Sequence, residues 1–238
     1  MNILAIDCSS ARGEVACLRD EEVVATAGVA ASRNGAAALF AALEEARTRA
    51  DWPDWSEVDL FAAGRGPGRY SGMRVALTAA QHLALPGHKP VRAIDSGRAM
   101  AAEWAATSSA VNELWILGDA RRDRVWRGRF ACKQGAADAV DTWSLLTVPE
   151  CVQQLNQLTA DNVTWVISSE WDRLQPLIDS HDETATAAWR RVSATPSAEW
   201  VGRLAACDEV AAVPSVAPVP LYLHPPVEPR LKEKGSGV

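Results

Sequence analysis

The sequence predicts an α/β protein built on a mixed sheet, and three observations carry that prediction. The chain opens on three strand-like runs with very short gaps, then alternates helix and strand patterns, and then repeats the mixture over a second stretch of similar size. Short gaps between strands imply antiparallel hairpins, whereas strands alternating with helices imply crossovers and parallel pairing. The length of 238 residues, 48% of them hydrophobic, is enough to bury a core in one large domain or two small ones. The expected partition is an α/β domain over 1–108, a second over 109–225 and a disordered tail over 226–238. Two α/β halves of similar size also suggest a duplication.

The elements follow in order. ILAIDCS (Ile3–Ser9) is nearly continuous in apolar residues, as suits a strand covered on both faces. GEVACLRD (Gly13–Asp20) alternates in part, and EVVATAGV (Glu22–Val29) follows an acidic turn. Asn34 is placed to cap a helix over 35–50, in which Ala36, Leu39, Phe40, Leu43 and Ala46 fall on one face. Arg47 and Arg49 suit the negative end of that helix, and Pro53 lies past it. A strand over 58–64 runs into GRGPGRYSGMRVAL (Gly64–Leu77), and a helix over 72–85 ends at Pro86 and Gly87. A strand over 90–96 and a helix over 96–107 complete the first half. In the second, 113–133 reads as two strands around a turn rich in arginine and aspartate. Residues 144–158 read as a short strand and a helix with Pro149 near its start, 163–178 as a strand and a helix, and 195–208 as a helix capped by Ser197.

Composition narrows the function classes. A net charge of −6 argues against a protein that grips nucleic acid by bulk electrostatics, while leaving room for a local basic patch. Cys8, Cys17, Cys132, Cys151 and Cys207 are scattered, odd in number and free of any C-x-x-C pair, which reads as reduced thiols of a cytosolic protein. The N-terminus lacks a basic n-region, and no stretch approaches the roughly 20 apolar residues of a membrane span. A soluble, cytoplasmic protein with no membrane partner is expected. The ten tryptophans are spread along the chain and read mainly as packing residues.

ILAIDCS, GRGPGRYSGMRVAL, DARRDRVWRGRF and PLYLHPP occur in that order. This set resembles the TsaB (YeaZ) family of bacterial tRNA-modification proteins, in which an ILAIDTS start, a GPGSFTGLRIGL turn and helix, a DARRGEVY strand and a YLR near the end are usual. The resemblance covers most of the chain and is weakest over 135–195. It departs at SRNG, residues 32–35, where the family usually has a histidine–serine pair. Its most specific part is the run of Gly66, Pro67, Gly68, Tyr70, Ser71, Gly72 and Arg74. The resemblance implies an actin-like ATPase fold (ribonuclease H-like) with two related α/β domains, as in sugar kinases. It implies a non-catalytic part in threonylcarbamoyl transfer to the adenosine beside the anticodon of ANN-decoding tRNAs. The implied partners are a metal-binding catalytic paralogue, TsaD, and an ATPase, TsaE, with tRNA met within the complex.

The residues themselves can be set beside that implication. Actin-like ATPases carry an Asp-x-Gly-x-Thr/Ser loop after the first strand, where glycine admits the phosphates and the carboxylate holds hydrated magnesium. Here Asp7 is present, Ser9 replaces the glycine and Ser10 follows, so a vestigial nucleotide loop with no cofactor is expected. The glycines of Gly66-Pro67-Gly68 and Gly72 then turn a strand sharply into a helix. The catalytic paralogue uses an H-x-x-x-H pair for its metal. Here His82, His88, His181 and His224 include no two that are three or four apart, so no metal is expected. Ser71 has no histidine of predictable geometry beside it. The helices over 35–50 and 72–85 are rich in alanine and leucine. Either they are buried in their own domain, or they form half of a four-helix bundle with a partner. The resemblance implies the second, with Leu39, Leu43, Met73, Leu77, Ala80 and Leu83 as contacts used for either a homodimer or the catalytic paralogue. Arg74, inside an apolar helix, anchors the glycine loop or reaches across the interface. Arg121, Arg122, Arg124, Arg127 and Arg129, with Arg65 and Arg69 nearby, are either a tRNA-backbone contact or a solvated hairpin with Asp119 and Asp123 as counterions. An active actin-like ATPase or small-molecule kinase is the alternative function.

Overall fold

The computed structural model describes residues 1–30, 35–108, 110–133, 135–159, 163–181, 188–207 and 218–223. The expected cap Asn34, residues 32–34 of the family departure, His224 and the expected tail over 226–238 lie outside them.

The first sheet has the order β3-β2-β1-β4-β5, with β1 (Asn2–Asp7), β2 (Gly13–Arg19), β3 (Glu22–Val29), β4 (Leu60–Gly64) and β5 (Val91–Ile94). The first three strands pair antiparallel, as the short gaps predict, and β4 and β5 add in parallel. Helices α1 (Gly35–Arg49), α2 (Tyr70–Ala84) and α3 (Ser96–Thr107) belong to this half of the chain. The second sheet has the order β11-β10-β6-β7-β8, with β9 paired to β7. Its strands are β6 (Glu113–Arg121), β7 (Arg124–Lys133), β8 (Ala136–Ala139), β9 (Ser144–Thr147), β10 (Thr164–Ser168) and β11 (Trp189–Ser193). Helices α4 (Val148–Asn156), α5 (Trp171–Asp179) and α6 (Ala198–Ala206) complete it. Again β6, β7 and β8 are antiparallel, and β10 and β11 add in parallel. The second half therefore repeats the topology of the first, β6 standing for β1 and β10 for β4, in the two-domain α/β arrangement of the actin-like fold.

Alternation along the central strand sets the layers. Leu4 and Ile6 of β1 face the core under α1 and α2, while Ile3 and Ala5 face α6. The core stripe of α1 is Leu39, Ala42, Leu43 and Ala46, which keeps i, i+3, i+4, i+7 spacing. This corrects the predicted face: Ala36 is exposed and Phe40 is 57% exposed, because they lie off that stripe. In the second half, α4 and α5 cover one face of the sheet through Val148, Cys151, Leu155, Trp171, Leu174 and Ile178.

The third helix of each half packs on the other half. In α6, Ala198, Val201 and Ala205 sit in the core formed by Ile3, Ala5, Leu18 and Leu60 of the first sheet. In α3, Met100, Ala101 and Ala105 sit against Leu114, Ile116 and Phe130 of the second. Each sheet thus borrows a cover from its neighbour, and the halves are tied by buried apolar surface. Ser197 is at the start of α6, but its hydroxyl makes no cap bond; Glu14 Oε2 of β2 accepts from Ala198 N at 2.8 Å instead. A carboxylate from the other half satisfies the helix start. For α4, Thr147 and Glu150 form a full capping box behind Pro149.

Candidate functional site

Two loops at the carboxyl ends of β1 and β4 build the predicted site. Asp7 ends β1 and is fully buried. Its Oδ1 accepts from Ser9 N at 2.8 Å and Ser9 Oγ at 2.7 Å, so the serine that replaces glycine closes the turn on the aspartate. Its Oδ2 faces Gly64 and Ser96 and has no hydrogen bond of ordinary geometry. Burial pushes the Asp7 pKa up, against the hydroxyls of Ser96 and Ser9 and the Ser9 amide, which pull it down. Ser10 Oγ donates to Arg12 O at 2.6 Å and accepts from Arg12 N at 3.2 Å. The neighbouring Cys8 thiol is pushed up to about 12, by burial first and Asp7 second, so its environment disfavours the thiolate.

The glycine turn packs directly on this loop. A Cβ on Gly68 would collide with Ser9 O, and one on Gly72 with Cys8 O. Gly66 has φ +97, a backbone conformation only glycine adopts without strain, and the Gly66–Pro67 peptide is cis. Arg69 N at the start of α2 donates to Ser9 O at 2.7 Å, so that donor is spent on the chain's own carbonyl. The cleft between the halves, lined by Ser9, Ser10, Gly68, Leu117, Trp126 and Glu170, leaves about 10 Å³, room for one water. The Ser9 and Gly68 loops and the Trp126 ring close most of this cleft.

Among the described residues no three His, Cys, Asp or Glu side chains come together as a metal set. His82, His88 and His181 are exposed; a ring nitrogen of His82 meets Thr78 O on α2, and one of His181 meets Leu177 O at the end of α5. Ser71 is exposed at the start of α2, with no histidine bonded to it among the described residues. The five cysteines are unpaired. No described helix is long and apolar enough to cross a membrane.

The expected interface residues need correction. Leu39, Leu43, Met73, Leu77 and Ala80 are 0–2% exposed, and four of them form the core under the first sheet. Leu83 is half-buried against that core. In the isolated chain the first five present almost no surface to a partner. The apolar stripe chosen from the sequence is the stripe each helix turns toward its own sheet. What α1 presents outward is Ala36, Ala37, Phe40 and Ala41, and what α2 presents is Tyr70, Arg74, Thr78 and His82. Arg74 does not anchor the glycine loop. It lies over the Tyr70 ring at 5.3 Å, and its NH1 donates to Tyr70 Oη at 3.1 Å. The arginine that braces the turn is Arg65, whose Nε donates to Asp95 Oδ1 at 2.5 Å. Asp95 Oδ2 accepts from Trp143 Nε1 at 3.0 Å, which carries the brace into the second half.

Arg127 and Arg129 do point the same way, as β7 alternation predicts. Both lie over the Trp115 ring, at 5.1 and 5.4 Å. They line a polar hollow of about 380 Å³ with Gln154, Gln157 and Leu158. Their counterions are not the expected hairpin aspartates. Asp141 meets Arg127 at 2.6 Å and Glu113 meets Arg129 at 2.7 Å, while Asp119 pairs with Arg121. The strand arginines are therefore compensated.

With this geometry in view, comparison with known proteins is informative. The family model for TsaD, tRNA N6-adenosine threonylcarbamoyltransferase, matches residues 21–160. The tRNA threonylcarbamoyladenosine biosynthesis protein TsaB of Bacillus subtilis (strain 168) is 28% identical over 140 residues, 59% of this chain and 59% of that protein. The match thus spans less than two thirds of that relative's length. Among solved structures, YeaZ from Pseudomonas aeruginosa superposes with a TM-score of 0.72 at 22% identity, covering 93% of this chain and 99% of that one. A second structure, described as similar to peptidase YeaZ from Pseudomonas aeruginosa, gives 0.73 at 23% identity, covering 94% and 99%. These two likenesses carry the fold.

Proposed function

The chain belongs to the TsaD family of tRNA N6-adenosine threonylcarbamoyltransferases, as a TsaB/YeaZ-type member, and from that premise we propose that it is a non-catalytic subunit of the complex that makes threonylcarbamoyladenosine in tRNA. It activates a TsaD-like catalytic paralogue by pairing with it. A TsaE-like ATPase joins the assembly, and the product is the modified adenosine beside the anticodon of ANN-decoding tRNAs. The observation that carries this reading is a contrast: the cleft is filled by the chain's own loop, while the outward face of α1 is open and made of small residues around Phe40. Ala36, Ala37 and Ala41 let a second helix pair approach closely, and Phe40 supplies the apolar anchor. A homodimer through the same face would exclude the catalytic partner, so the two assemblies compete. The cytoplasm is the compartment that suits this work.

Reconstitution tests the reading. Modification of tRNA by the catalytic paralogue and the ATPase should depend on this chain, and unchanged modification in its absence would overturn the proposal. Within that system, Phe40→Asp with Ala41→Arg should weaken pairing at least tenfold by light scattering and leave the melting temperature unchanged. Leu43→Asp should instead unfold the chain, because Leu43 is 1% exposed.

A further inference from the structure

A second surface lies on α2, which covers the same side of the first sheet as α1. Residues Pro218–Leu223 run along α2 from its last turn to its start, held by Gln81 Nε2 to Pro218 O at 3.2 Å and Leu221 N to Arg65 O at 2.8 Å. This strap lays Tyr222 on Tyr70, with ring centroids 5.1 Å apart and an interplanar angle of 26°. Both rings stay open to solvent, Tyr70 at 59% and Tyr222 at 48%. Arg74 covers the Tyr70 ring, Arg69 reaches Ser10 O at 3.5 Å, and Arg12 lies exposed just beyond Ser10.

None of these three guanidiniums makes an ion pair among the described residues, unlike Arg121, Arg127 and Arg129. Arg122 and Arg124 are unpaired as well among the described residues, and what sets the three apart is the pair of exposed stacked rings beside them. The carboxylates nearby are already engaged: Asp95 holds Arg65 and Trp143, Glu14 caps α6, and Asp7 is sealed under the loop. In a chain of net charge −6, a cluster of uncompensated arginines beside two exposed stacked rings has a definite chemistry. Guanidiniums take phosphate oxygens, and open aromatic faces take unstacked bases. An acidic protein segment would use the arginines and leave the tyrosine faces without a purpose.

We propose that Arg12, Arg69, Arg74, Tyr70 and Tyr222 form a contact surface for single-stranded RNA, with the arginines on the phosphates and a base stacked on Tyr222. The identity of that RNA as the anticodon arm of the tRNA substrate rests on the function proposed above. Tyr70 and Arg74 are on the outward face of α2, and α1 covers the same side of the first sheet, so an RNA strand held here would run toward a partner seated on α1.

The test uses the full chain, alone with a fluorescent single-stranded RNA oligonucleotide, and then in the reconstituted complex with tRNA. Arg69→Glu with Arg74→Glu should lower affinity for both at least tenfold, and Tyr222→Ala about tenfold, with Tyr222→Phe near wild type. The slope of log affinity against log salt should fall by about 0.7 for each arginine removed. Arg121→Glu with Arg122→Glu, the same charge change on the other half, should leave both affinities unchanged. Unchanged RNA affinity in the Arg69/Arg74 and Tyr222 variants overturns the proposal, as does loss of the protein partner in place of RNA. If modification still requires the chain while these variants bind RNA normally, the surface is wrong and the function stands. If the variants lose RNA but modification never needed the chain, the surface stands and the function is wrong.

Discussion

The two halves share a topology and differ in their loops. In the first, five residues join β1 to β2 and five join β4 to α2, and the two loops pack backbone against glycine. In the second, the equivalent connections are two residues each, Arg122–Asp123 and Ser169–Glu170. Arg122 and Asp123 both take positive φ, the signature of the tight turn that a right-twisted hairpin favours. The longer loops of the first half pack on one another, while the second half keeps only tight turns at the equivalent places. The second half's glycines make room for indoles. Gly118 gives clearance to the Trp126 ring and Gly128 to Trp143, which Gly97 of α3 clears from the first half. One half closes the cleft with backbone and the other with indole, which leaves the outer surfaces to carry the interactions.

The largest expected effect comes from the indole side. Trp126 is 9% exposed, packs edge-on to Trp143 and lies in the core that α3 shares with the second sheet. Trp126→Ala should cost about 3 kcal/mol in urea unfolding, because a large cavity opens at the seam between the halves. It should also make the cleft accessible to small ligands; a variant as stable as wild type would mean that the seam does not depend on the ring. On the backbone side, Gly72→Ala separates two opposing effects. In an ordinary helix it would stabilise by about 1 kcal/mol. Here a new Cβ meets Cys8 O, so a net loss of about 2 kcal/mol is expected. A rise in melting temperature would show that the two loops are not in contact.

Much of the layout was legible because local chemistry decides it. Short gaps fixed the antiparallel strands β1–β3, and the Gly-Pro-Gly run fixed the sharp entry to α2. Pro149 marked the start of α4, but the capping box of Thr147 and Glu150 that closes it was not read from the segment. Strands β8 and β11 were missed: β8 is mostly alanine and exposed, and β11 is arginine-rich at a sheet edge, so neither shows an apolar run. The exchange of α3 and α6 was not legible. Periodicity says that a helix has an apolar face, not which sheet receives it. The same limit explains the interface residues, since the strongest apolar stripe on α1 and α2 is the one their own sheet takes. Pairs such as Arg129 with Glu113 depend on strand register, which no single segment records.

The smallest effect tests the exchanged helices themselves. Glu103 of α3 faces α6, near Glu199, which is paired with Arg203, and near Glu14, which caps α6. Its Oε2 is buried without a hydrogen bond. Burial first, then the charges of Glu199 and Glu14, raise its pKa from 4.5 to about 7. A raised carboxyl contributes stability that is complete below 4.5 and is lost as pH rises through about 7. Because the group is only partly buried, solvent screening reduces the loss to roughly 1 kcal/mol. Urea unfolding at pH 5.5 and 8 should show that loss in the wild type and not in Glu103→Gln. An equal pH dependence in both would place Glu103 away from the other carboxylates, and with it the contact between α3 and α6 that distinguishes a pair of interlocked halves from two domains in series.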